Sequence, residues 1–191
     1  MLCAAPAFAQ TAPRQVRGVI GGFKENVLTI NTSSGPLKIT LAPDARVREL
    51  VKFEPAEIKP GTYLGTTAIE QADGMLRAVE IHVFPPAQAA RKPGEGFRPN
   101  DYAPHATMTN ATVTNITAAT VAGAQGRILT LRYDGGEKRV FVAPNTPIFT
   151  YAPGTASDLV AGAHVAVSLT GNGNTADQVT VDKNLLDPRD K

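Results

Sequence analysis

Residues 26–64 read NVLTINTSSGPLKITLAPDARVRELVKFEPAEIKPGTYL, and residues 127–165 read RILTLRYDGGEKRVFVAPNTPIFTYAPGTASDLVAGAHV. The second stretch repeats the first at a constant offset of 101 positions, without a gap. Val27-Leu28-Thr29-Ile30 returns as Ile128-Leu129-Thr130-Leu131, and Leu41-Ala42-Pro43-Asp44 as Val142-Ala143-Pro144-Asn145. Gly35 returns as Gly136, and Pro60-Gly61 as Ala161-Gly162. What repeats is apolar alternation and turn residues, the period-two grammar of strands, and not a set of reactive side chains. The chain therefore reads as two copies of one small β-domain.

Working outward, the alternation predicts five strands per copy. In the first they are 15–23, 26–32, 37–41, 62–70 and 76–84. In the second they are 111–118, 127–133, 137–142, 164–169 and 176–182. Ser34-Gly35 and Asp134-Gly135-Gly136 sit between alternating runs and predict hairpins, because glycine supplies the positive φ of a tight turn. Residues 51–59 and 152–160 break the alternation, and predict a single helical turn crossing from the third strand to the fourth. Ser157 and Asp158 are N-cap types, and Ile58 and Leu159 are the expected buried residues. Leu28 and Leu129, central in the second strand, are the expected core. Three strands, a turn and two strands is the order of a five-stranded OB-like barrel; a small sandwich gives the same order. The expected organisation is a first barrel over 15–84, a Pro/Gly-rich linker over 85–105, a second barrel over 106–184, and a tail over 185–191.

The opening residues, 1–14, read as a leader. Ala7-Phe8-Ala9 before Gln10 places small residues at the positions signal peptidase recognises, with the basic and most of the apolar part of a signal missing. The expectation is an exported, periplasmic bacterial protein cut after Ala9. Cys3 is the only cysteine, so a chain cut there has no thiol for disulfides, catalysis or metal binding. No later run approaches the roughly 18 apolar residues a membrane-spanning helix needs. Nineteen basic residues face 17 acidic ones. That balance lacks the electrostatic footprint of a nucleic-acid binder, so nucleic acid is not the expected partner.

The glycine after the first strand, the Leu-Thr-Ile/Leu run, the glycine turn, the Pro-Asp/Asn pair and the Pro/Ala-Gly pair together resemble a family. It is a secreted proteobacterial domain-of-unknown-function family, number fifty-six sixty-six, of small OB-like barrels often found in tandem. The stretch Gly94-Glu95-Gly96-Phe97-Arg98-Pro99, followed by Met108-Thr109-Asn110-Ala111-Thr112-Val113, resembles a subgroup of it. The resemblance implies the fold and an exported protein. It implies no activity and no functional residues.

The chemistry-bearing residues are few. His82, His105 and His164 are the only histidines, none at ligand spacing with a second His or a carboxylate, and they read as solvated side chains. There is no Gly-x-Ser-x-Gly elbow and no glycine-rich phosphate loop before a helix. Glu54 and Glu57 lie on a surface crossover, where no carboxyl pKa need be raised. No catalytic residue, metal or cofactor is expected. An OB-like barrel does present a strand face used for binding, and Arg132, Tyr133, Arg139 and Phe141 gather on one hairpin. Arg132 and Tyr133 must point to opposite faces, which leaves Arg132 and Arg139 as the exposable pair, with Tyr133 and Phe141 as alternative core. Phe97 and Tyr102 are the bulky apolar residues of the linker, suited to pinning it onto a neighbouring domain. The candidate interaction surface is therefore Arg132, Arg139, Phe97 and Tyr102. The expected function is a non-catalytic binding or interaction module for an envelope protein or polymer. The alternative is an enzyme or accessory factor handling a small ligand or metal between the two repeats.

Overall fold

The computed structural model describes residues 14–100, 102–171, 173–185 and 187. The leader expected over 1–14 falls outside these apart from Arg14, as does most of the 185–191 tail. Among the described residues twelve strands form: β1 (Arg14–Lys24), β2 (Val27–Thr32), β3 (Gly35–Lys52), β4 (Tyr63–Glu70), β5 (Leu76–Val83), β6 (Gly96–Pro99), β7 (Ala106–Val121), β8 (Ala124–Tyr133), β9 (Gly136–Val142), β10 (Ile148–Pro153), β11 (His164–Thr170) and β12 (Thr175–Asp182). One short helix, α1 (Pro86–Ala89), and 3₁₀ turns at Pro55–Glu57 and Ala156–Asp158 complete the elements. The protein is all-β, as the alternation predicts. The two crossover turns fall where the sequence places them, with Ile58 and Leu159 buried behind them. The N–H of Thr155 donates to Asp158 Oδ2 at 2.6 Å, which fixes the start of the second turn.

The backbone divides into two compact units, one of residues 14–47 with 154–181 and one of 48–153 with the residues from 182 on. In the first, β1 pairs β2, β2 pairs β3, β3 pairs β12, β12 pairs β11 and β11 pairs β1. In the second, β7 pairs β8, β8 pairs β9, β9 pairs β5, β5 pairs β4 and β4 pairs β7. Each pairing cycle returns to its start, so the second unit is a closed five-stranded barrel and the first follows the same order. A bulge recurs at the matching place, between Ile20 and Gly22 and between Val113 and Asn115.

Two consecutive barrels, 15–84 and 106–184, are not what the pairing gives. The first three strands of each repeat pair with the last two strands of the other. The physical reason lies in the repeat itself. Two similar copies offer β1 and β7 equivalent partner edges, so side-chain pattern cannot choose between them. The choice falls to the segment after the third strand, which stays extended. β3 runs on to Lys52, beyond its expected end at Leu41, and its last residues, Arg48–Lys52, pair antiparallel with β10, a strand the sequence reading lacks. An extended segment cannot turn the chain back onto its own copy.

Each unit has its own core. Leu28, Ile30, Ile39, Val165, Val167 and Val179 are buried together in the first. Leu64, Ile81, Ala111, Leu129, Leu131 and Val140 are buried together in the second. Residues 85–105, expected as a linker, belong to the second unit, where β6 adds to β7.

Candidate functional site

In the second unit the barrel wall is widened by β10, which runs parallel beside β5, and by β6 beside β7. Alternation turns Ile81 and Val83 into the core and His82 outward. Directly across the strands His82 faces Phe149 on β10 and Gly65 on β4, and Gly65 faces Asn110 on β7. This outward row is not solvated: Phe149 is 2% exposed, His82 9% and Asn110 6%. His82 departs here from the solvated strand-face histidine expected above. Its ring stacks 6.1 Å from Phe149 and meets Phe84 edge-on at 4.9 Å. Gly65 makes this possible, since a Cβ at that position would collide with His82 Nε2 and Asn110 Oδ1.

In the neighbouring row Tyr63 is buried, while Phe84 and Tyr151 are half-buried. Tyr63 and Phe84 lie 5.3 Å apart, Phe84 and Tyr151 6.3 Å, and the guanidinium of Arg48 covers the Tyr151 ring at 3.7 Å. Chain 85–93 folds over one side. The carbonyl of Pro93 accepts from Tyr63 Oη at 3.2 Å and from Asn110 Nδ2 at 2.9 Å. Burial, with Glu95 adding its charge against Arg98, pushes the Tyr63 phenol up to about 12. Between these walls is a cleft of about 780 Å³, lined by Phe53, Tyr63, Phe84 and Tyr151, by Pro85-Pro86 and α1, and by the hydroxyls of Thr62, Thr112 and Thr150. Lys92, paired with Glu95 at 3.0 Å, stands at its margin. Lys92 and Thr112 also line a second, polar hollow of about 600 Å³, with Arg132, Asp134 and Glu137. Rings can enclose an apolar group in the first, and the charged margin of the second can hold its polar continuation.

The side chains expected from sequence fall around this region. Arg132 and Arg139 are exposed and share one face of the β8–β9 hairpin, where Arg132 pairs with Glu137 and Arg139 with Thr130. Phe141 is fully buried with Ile128 and Ala143, and Tyr133 is half-buried, packed against the barrel core. Phe97 packs on the same core with Lys138 Nζ 4.2 Å over its ring, and lines a third hollow with Arg139. Tyr102 is half-buried, and its N–H donates to Asn100 Oδ1 at 2.8 Å. It lines none of these three hollows.

No family model, curated protein or solved structure matches this chain. Among the described residues no group of three or more His, Cys, Asp or Glu could hold a metal ion, and no helix is long and apolar enough to cross a membrane.

The cleft aromatics escaped sequence reading because each looked like an ordinary strand residue. One signal could have found them. At the offset of 101, Phe53, Tyr63 and Tyr151 correspond to Gly154, His164 and Leu50. Matching the core residues Ala78, Ile81 and Val83 to Ala176, Val179 and Val181 sets Phe84 opposite Asp182. Gly154 and His164 belong to the first unit, Leu50 and Asp182 to the second, and none of the four is Phe, Tyr or Trp.

Proposed function

We propose that this chain is an exported, non-catalytic binding module of the bacterial cell envelope, and that the aromatic cleft of the second unit is its ligand seat. The observation that carries the reading is the one-sided placement of the rings. The first unit follows the same strand order with Gly154 and His164 at the positions of Phe53 and Tyr63, so that order does not require a Phe or Tyr there. Rings set around a cleft of about 780 Å³ are what recognition of an apolar group requires. The ligand is an envelope protein or polymer presenting an apolar ring or side chain next to a polar stretch. Arg132, beside the polar hollow, belongs to the same surface. The exported address rests on Ala7-Phe8-Ala9 and on the resemblance to the secreted family.

The test is a titration of the labelled protein with indole as a probe, followed by NMR. Resonances of Val83, Tyr63 and Tyr151 should shift together, and Tyr151→Ala should weaken binding about tenfold, the equivalent of about 1.4 kcal/mol. Capture of the native partner from periplasmic extract should fail with Tyr151→Ala. Shifts confined to other residues, or capture undisturbed by Tyr151→Ala, would remove the cleft from consideration.

A further inference from the structure

The hairpin of β7 and β8 is longer than its counterpart in the other repeat. From Thr112 to Arg132 it spans 20 positions, where its counterpart from Val19 to Asn31 spans 12. Ala122 and Gly123, with φ of 49° and 79°, form its two-residue turn. In a two-residue hairpin the residues flanking the turn exchange both hydrogen bonds, and the pattern then alternates along the strand. Val121, Ala119 and Thr117 thus turn their N–H and C=O toward β8, while Thr120, Ala118 and Ile116 turn theirs away. The N–H of Ile116 agrees, donating to Oδ1 of its neighbour Asn115 at 2.9 Å instead of to a strand. β4 reaches β7 only as far as Thr112 in register, followed by the bond from the Val113 N–H to Thr62 O. Beyond that, among the described residues, no strand pairs the outer edge of Asn115–Val121.

Open edges are normally guarded by lysine, proline or a short strand. The shorter hairpin of the first unit ends in Lys24-Glu25. Here no residue from Ala106 to Gly126 ionises, and none is proline. An uncharged edge selects against a strongly charged partner strand and imposes no repulsion on its own kind. We infer that this edge pairs antiparallel with the same edge of a second copy of the chain, about a two-fold axis at Ala118. In that register Ala118 faces its own equivalent and Ile116 faces Thr120, so the outward N–H and C=O groups of the two strands meet. Thr117 and Ala119 lie opposite each other on the other face. Every contact is then small, neutral or β-branched, and the two-fold makes each contact off the axis occur twice.

Sedimentation of the full chain over a micromolar-to-millimolar series should show monomer passing to dimer. Ala118→Lys places two ammonium groups opposite each other and should weaken the dimer about tenfold or more. Ala118→Pro removes an outward N–H that no strand among the described residues uses, and should leave monomer at every concentration. Ala118→Thr should dimerise like the parent. Circular dichroism melts of the three variants within a few degrees of the parent separate lost pairing from lost folding. A parent that stays monomeric at millimolar concentration, or a dimer that a folded Ala118→Lys chain keeps unchanged, overturns the inference.

Discussion

Gly65 and His82 show how one residue pair sets the second unit apart from the first. The residue at the position of Gly65 in the first unit is Ala166, so the strand geometry itself tolerates a methyl group. Here the imidazole of His82 and Asn110 Oδ1 both lie where an added Cβ would stand. Gly65→Ala should therefore cost about 1–3 kcal/mol by overpacking, and part of that cost should vanish when His82→Ala is introduced with it, the rest staying with Asn110. A double-mutant cycle in urea measures the coupling; equal losses with and without His82 would place the strain elsewhere. Tyr63 gives a second handle. Its phenol ionises near 10.0 in the unfolded chain and at about 12 in the folded one. Between those values the unfolded state has released a proton that the folded state holds. Stability from this group is whole below pH 10.0 and is lost as pH rises toward 12. Tyr63→Phe should flatten that alkaline loss in melts across the window, and should remove a phenolate step near pH 12 from the ultraviolet titration. A titration that keeps that step would assign it to another tyrosine.

At the scale of elements, the strands were legible wherever alternation met a turn residue. Val27–Thr32, Gly136–Val142 and His164–Thr170 stand within two residues of their expected bounds. Legibility failed at strand ends that local punctuation does not mark. β3 continues past Leu41 through Pro43-Asp44 to Lys52, a proline that does not end the strand, and β7 begins at Ala106, in a stretch with no glycine or proline to mark its start. β6 was read as linker because glycine and proline flank it, although a short added strand needs only one paired edge. The candidate surface was half legible for the same reason. Exposure of Arg132 and Arg139 follows from alternation, but the gathering of Phe53, Tyr63, Phe84 and Tyr151 depends on pairings between strands far apart in sequence. The β7–β8 turn is a further test of local grammar. Ala122 holds φ 49°, a left-handed conformation that costs alanine about 1 kcal/mol or more and that asparagine accepts more readily. Ala122→Asn should raise the melting temperature by about 2–4 °C. An unchanged or lower melting temperature would show that the turn relaxes without cost.

For the whole molecule, the exchange of strands between the repeats decides which residues stand or fall together. The repeat made the strands legible but not which of them pair, since pairing is set by where an extended segment carries the chain. Leu129 belongs to the second repeat, yet it packs with Ile58, Leu64 and Ile81 of the first. Leu28 belongs to the first repeat, yet it packs with Leu159, Val165 and Val179 of the second. Leu129 and Leu28 are 1% and 0% exposed, so truncating either to alanine should cost about 2–5 kcal/mol. The location of the damage is the informative part. With Leu129→Ala, native-state hydrogen exchange should quicken in β7, β8 and β9 and equally in β4 and β5, while β1 and β2 keep most of their protection. With Leu28→Ala, β1, β2, β11 and β12 should lose protection together. Consecutive barrels would give the opposite partition, with β4 and β5 following Leu28 and β11 and β12 following Leu129. Peptide-resolved exchange on the two variants separates the alternatives without any fragment having to fold alone, because each arrangement assigns β4, β5, β11 and β12 to a different leucine.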